Sequence, residues 1–182
     1  MVTRGVLGLG ASAALALGTP GVVQAQHDHP GGTPNARAVV QLRPTAGNAA
    51  GGTVSFEQVA GAVRITARIE GLSAGDFGFH IHEFGDCSAA DGTSAGGHYN
   101  PAGAPHAGPE AAARHVGDLG NVTSEAGGPA SYGRTDWMVR LDGPESVIGR
   151  AVIVHAAADD LTTQPSGNAG ARLACGVIGV GS

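Results

Sequence analysis

From Ala38 to Ile69 the chain alternates apolar and polar residues with a period of two, the mark of half-buried antiparallel strands. The pattern predicts strands over Ala38 to Arg43, Gly52 to Val59 and Val63 to Ile69. In the third, Val63, Ile65, Ala67 and Ile69 share one face, while Arg64, Thr66 and Arg68 share the other. Gly71 and Gly75 bracket a turn before Phe77 to Phe84, which alternates again. Further strands are predicted at Asn121 to Thr123, Trp137 to Leu141, Val147 to His155 and Leu173 to Ile178. Short strands with frequent turns and no helical period imply an all-β fold, an antiparallel sandwich or barrel.

Two stretches break the pattern. Gly85 to Gly117 is a long run of Gly, Ala, Pro, Ser and His, and Ala156 to Ala171 is a second loop. A long structureless segment inside a compact domain usually carries function, and the first one contains three histidines. Residues 26–36 are polar and rich in Pro and Gly, which reads as a flexible leader. Before them, Arg4, an apolar stretch from Gly5 to Gly18 and small residues at Val23-Gln24-Ala25 read as a signal peptide over residues 1–25. The expected organisation is therefore signal peptide, leader and one domain over residues 37–182, exported to the periplasm, cell envelope or exterior, with no membrane attachment after cleavage.

Composition agrees with many tight turns: 42% of residues are apolar, only 4% aromatic, and there are 32 glycines. A net charge of -5 argues against a nucleic-acid partner, which needs a basic face. Cys87 and Cys175 form an even count in a chain read as exported, so a single disulfide is the default; neither lies in a CxxC or at ligand spacing from a histidine.

The histidines carry the chemistry. His27 and His29 lie in the leader. Cleavage after Ala25 would expose Gln26-His27-Asp28-His29, a terminal amine and imidazole for a cupric ion, though a plain polar leader accounts for the same residues. His80 and His82 are two apart in a predicted strand, so both point to one face. His98, His106, His115 and Asp118 are spread over the long loop and its end, a donor set suited to tetrahedral zinc. His155 ends an apolar strand. Six histidines and one aspartate exceed what one four-coordinate ion takes. Two ions fit better, the more so if one imidazole bridges them, and imidazole suits copper as well as zinc.

Five stretches resemble the copper,zinc superoxide dismutases: GFHIHEFGDC (Gly78–Cys87), SAGGHYNP (Ser94–Pro101), RHVGDLGNV (Arg114–Val122), GRAVIVHAAADDL (Gly149–Leu161) and GNAGARLACGVIG (Gly167–Gly179). The resemblance spans roughly residues 37–180. It implies an eight-stranded Greek-key β-barrel with a long metal-binding loop, and a redox enzyme that converts superoxide to O₂ and H₂O₂. By position it makes His80, His82, His98 and His155 copper ligands. His98 is then the bridge to zinc, whose other ligands are His106, His115 and Asp118. It makes Asp159 a carboxylate bonded to a ligand of each metal, Arg172 the active-site arginine, and Cys87–Cys175 the disulfide. Between Leu161 and Gly167 only five uncharged residues remain, a shortened electrostatic loop that resembles bacterial members. Substrate steering is then expected to rest mainly on Arg172 and the metals. Bacterial and eukaryotic members pair differently, which leaves the interface of a homodimer open. The competing expectation is a non-catalytic copper-binding or copper-delivery protein on the same fold; the presence of every ligand and the arginine favours the enzyme.

Overall fold

The computed structural model describes residues 1–2, 36–126 and 128–182. The proposed signal peptide and the leader with His27 and His29 fall on 3–35 and so lie outside the described residues, Met1, Val2 and Ala36 apart. Among the described residues nine strands follow in chain order: β1 (Arg37–Pro44), β2 (Gly51–Val59), β3 (Ala62–Glu70), β4 (Gly75–His82), β5 (Asp118–Ser124), β6 (Ala130–Asp136), β7 (Ala151–His155), β8 (Arg172–Val177) and β9 (Gly179–Val180). Among the described residues there is no α-helix, only a short 3-10 turn at Thr93–Ala95.

The strands lie in the order β2-β3-β6-β5-β4-β7-β8-β1-β9, and β1 also pairs with β2. Eight strands thus close into a ring, with β9 added beside β1. All pairings are antiparallel, and β3 beside β6 with β4 beside β7 give the crossovers of a Greek-key barrel. Closure removes exposed strand edges from the ring. Inward residues such as Val40, Val54, Phe56, Ile65, Ile69, Phe79, Ile81 and Val154 fill the core.

Two strands differ from the rest. β4 is buried on both faces from Phe77 to His82, and β7 along its whole length. Their outer faces are covered by the two long loops. The first loop is stitched to β4 by a backbone chain in which Tyr99 N donates to Ile81 O, Ile81 N to Gly117 O and Gly117 N to Tyr99 O, all at 2.8–2.9 Å. This approach needs a glycine at 117, because a Cβ there would lie 2.1 Å from Ile81 O. The second loop touches β4 where Gly78 N donates to Ala157 O at 2.8 Å. Cys87 and Cys175 form the expected disulfide, Cα atoms 5.8 Å apart, tying the first loop to β8.

The strand predicted at Trp137 to Leu141 is not formed. Asp136 Oδ1 accepts the N–H groups of Met138 and Val139 and turns the chain, leaving Trp137 half exposed. The strand instead precedes it, as β6, whose seven residues pair with β3 from Ile69↔Ala130 to Val63↔Asp136. Its small and polar residues gave no apolar alternation to read. The stretch predicted from Val147 starts as strand only at Ala151, since Arg150 N closes a turn onto Val147 O. β4 ends at His82 rather than Phe84, and β5 begins at Asp118 rather than Asn121.

The end of the first loop is fastened by a buried ion pair. Arg114 Nη2 donates to Asp136 Oδ2 at 2.5 Å, and its Nη1 donates to the carbonyls of His115, Val116 and Asp118. Both side chains are fully buried. Asp136→Ala would leave the guanidinium charged and uncompensated in the interior, so a loss of about 3–5 kcal/mol is expected. Urea unfolding of the variant beside the wild type checks it; a loss below about 1 kcal/mol, the range of a surface pair, would show that water reaches Arg114.

Candidate metal centre

β4 presents His80 and His82 on the face away from the barrel core, and β7 presents His155 beside them. His98 is brought opposite His82 by an isolated β-bridge between the loop and the strand. One nitrogen from each of His80, His82, His98 and His155 lies within 4.8 Å of the others, and all four residues are buried.

The hydrogen bonds on the far sides of these rings settle which nitrogen faces inward. His82 Nδ1 lies 2.9 Å from Gly96 O, and His155 Nδ1 lies 3.1 Å from Gly170 O. A carbonyl only accepts, so each Nδ1 carries the proton and each Nε2 bears a lone pair. Those two Nε2 atoms face one another at 3.2 Å. His80 Nδ1 and His98 Nε2 are buried and have no hydrogen-bond partner. Facing lone pairs and orphaned nitrogens are unfavourable on their own and fit a cation among them.

A second group shares His98. The Nδ1 atoms of His98, His106 and His115 lie 2.8, 3.0 and 3.1 Å from a single oxygen, Asp118 Oδ1. The other oxygen of Asp118 accepts the N–H groups of Ala107 and His115. Three imidazoles and a carboxylate in a buried cluster are the donor set of a tetrahedral zinc site.

Asp159 joins the two groups. Its Oδ2 is 2.8 Å from His80 Nε2 and its Oδ1 is 3.0 Å from His106 Nε2. The side chain is fully buried. Asn121 in turn holds Asp159 by both backbone groups, accepting from its N–H at 2.7 Å and donating to its C=O at 2.9 Å. The chain comes close here: Gly167 has a φ of +64°, and a Cβ on it would lie 1.7 Å from Asp159 Oδ1.

The sequence model of the copper/zinc superoxide dismutase (SODC) family matches residues 50–178. The chain belongs to that family. Family membership and the two donor groups together support copper and zinc as its metals. The structure brings together every metal ligand expected from the sequence of this superoxide dismutase family member, with Asp159 in contact with both groups. Arg172 opens β8, paired with His155, and its guanidinium donates to Gly92 O at 2.5 Å and Gly96 O at 2.6 Å. Asn121 and the carbonyls of Gly96 and Gly170 were not foreseen. A backbone carbonyl has no residue signature, and Asn121 stands at no ligand spacing.

Burial disfavours the protonated form of His80, His82, His115 and His155. Burial, with neighbouring imidazoles adding to it, holds His80 and His82 well below the ordinary histidine range, and burial lowers His115 as well. His155 is pushed down to about 4, mainly by burial. For Asp118, burial pushes the carboxyl up, but hydrogen bonds from His98 and the Ala107 N–H outweigh it and hold it below its usual value. An unfolded histidine titrates near pH 6.5, so at acid pH the unfolded chain binds protons that the fold refuses. Stability from these residues is complete above about pH 6.5 and is lost as the pH falls toward 4. Metal-free protein is therefore expected to unfold at lower urea near pH 5 than near pH 7.5. A midpoint that stayed put or rose would show that the folded cluster takes up protons.

Proposed function

We propose that the protein is a copper- and zinc-loaded superoxide dismutase. The observation that supports this most directly is the shared imidazole: His98 belongs to both donor groups, with Nδ1 on Asp118 and Nε2 unpartnered within the other. In this reading His80, His82, His98 and His155 hold copper. His98, His106, His115 and Asp118 hold zinc. The all-imidazole set suits copper, and the set with a carboxylate suits zinc.

Copper, when bound, supplies one-electron exchange with superoxide, so that two superoxides and two protons become O₂ and H₂O₂. The protein's part is to hold, orient and attract. Asp159 fixes the rings of His80 and His106 through their outer nitrogens. His98 offers a buried, unpartnered Nε2 to the first group while its Nδ1 faces Asp118 in the second. Arg172 supplies the cation that draws the anion in. Partial burial lowers its affinity for a proton without making it neutral. Its charge is felt by His82 and His155, whose proton affinities it lowers. With no charged residue between Leu161 and Gly167, Arg172 carries most of the local steering. A disulfide is compatible with an oxidising compartment. In this reading the protein is exported, residues 1–25 are removed as a signal peptide, and residues 37–182 form the domain that carries the site.

Metal analysis of purified protein beside a superoxide-decay assay tests the reading. One copper and one zinc per chain, with decay that scales with copper content, are expected. Both metals without acceleration would overturn the enzyme and leave a copper-binding or copper-delivery protein. Arg172→Ala is expected to slow the reaction about tenfold and flatten its dependence on ionic strength; an unchanged rate and salt dependence would remove the arginine from steering.

A further inference from the structure

The four residues of the second donor group are not equally well anchored. His98 is bridged to β4 through His82. His115 donates its N–H to Asp118 Oδ2, and its carbonyl accepts from the buried Arg114. Asp118 is the first residue of β5. His106 lies in the middle of the first loop, and its backbone is held differently. Its N–H donates to Gln164 Oε1 at 2.8 Å, and its carbonyl accepts from Gln164 Nε2 at 2.7 Å. One side-chain amide thus takes both backbone groups of His106, as a neighbouring strand would.

Gln164 sits at the tip of the shortened loop, on a turn that is already ordered. The Asp160 carboxylate accepts the N–H groups of Thr162 and Thr163, the Thr163 hydroxyl and the Asn168 amide. Asp160 N donates to Gly167 O at 2.8 Å, and Gly167 N to Thr163 O at 2.7 Å. A turn braced in this way presents the amide with little ordering left to do on contact. The arrangement mirrors the clasp of Asn121 on Asp159: β5 grips the second loop there, and the second loop grips the first loop here.

We propose that Gln164 is a positioning residue, a latch that holds His106 in place and sets how slowly zinc leaves the second group; the proposal rests on the assignment of zinc to that group made above. A chelated ion departs by losing one ligand first, and the ligand least tied to the barrel is His106. The copper set has no contact with Gln164 through its own backbone: its outer nitrogens rest on Asp159, Gly96, Asp118 and Gly170. The latch therefore bears directly on one metal, and reaches the other only at second hand, through His98 and Asp159.

The test uses Gln164→Met, which keeps the bulk of the side chain and removes both hydrogen bonds to His106, together with the exposed one from Nε2 to Thr162 O. Metal-loaded wild type and variant are mixed near neutral pH with a chromogenic zinc chelator and, separately, with a copper chelator, and backbone hydrogen exchange at His106 is followed in both. Zinc loss about tenfold faster in the variant is expected, from the net contribution of two side-chain to backbone hydrogen bonds. Copper loss should stay within about twofold, and the His106 amide should lose its protection. Unchanged zinc loss would overturn the latch. So would equal acceleration of both metals, which marks general loosening. A wild type that takes up no zinc removes the metal assignment and the proposal with it, and the His106 exchange data then still report whether the clasp itself forms.

Discussion

The site depends on a constraint on imidazole: a buried ring can present one nitrogen to an ion only if its other nitrogen is satisfied. In the group proposed for copper, His80, His82 and His155 meet it with Asp159, Gly96 and Gly170, while the outer Nδ1 of His98 turns into the second group. Two of those partners are carbonyls, supplied by the loops that cover β4 and β7. The loops are therefore part of the coordination chemistry even where they contribute no ligand. Asp159 is the extreme case, since one buried carboxylate sets the outer nitrogen of a ring in each group.

Holding such loops over a barrel takes more than apolar contact, because both are rich in glycine and alanine. The fold uses backbone stitching through Tyr99 and Gly117, the Cys87–Cys175 disulfide, and the Arg114–Asp136 pair. Arg150 adds a fourth tie, its guanidinium 3.5 Å above the Tyr99 ring and its Nη1 on Glu83 O. Arg172 gains from the same arrangement: the carbonyls of Gly92 and Gly96 that fix its guanidinium lie in the segment pinned by the disulfide.

Much of this was legible in the sequence, for reasons that differ by element. β1 to β3 were readable because one face is core and the other solvent, as Val63, Ile65, Ala67 and Ile69 show. β6 was not, because Ser131, Gly133 and Thr135 face out and the inner face carries only Ala130 and Tyr132 before turning charged at Arg134 and Asp136. Pairing to β3 forms it, and pairing leaves no trace in local composition. His80 and His82 were placed by strand parity alone. Assigning His98 to both groups needed the family resemblance, since spacing cannot tell a bridging ring from a terminal one. Asn121 and Gln164 escaped because their role lies in where the backbone of another loop passes, which only the folded chain defines.

β4 carries two messages in alternating positions. Phe77, Phe79 and Ile81 belong to the core, and Gly78, His80 and His82 to the metal face, all within six consecutive buried residues. Most strands have a tolerant side facing water, where a shift of frame exposes a few apolar groups. Here a single inserted or deleted residue would exchange the two scripts, driving imidazoles into the barrel and phenyl rings into the ion cluster. The strand can drift in evolution by substitution but not by slippage, and its length is as tightly specified as its ligands.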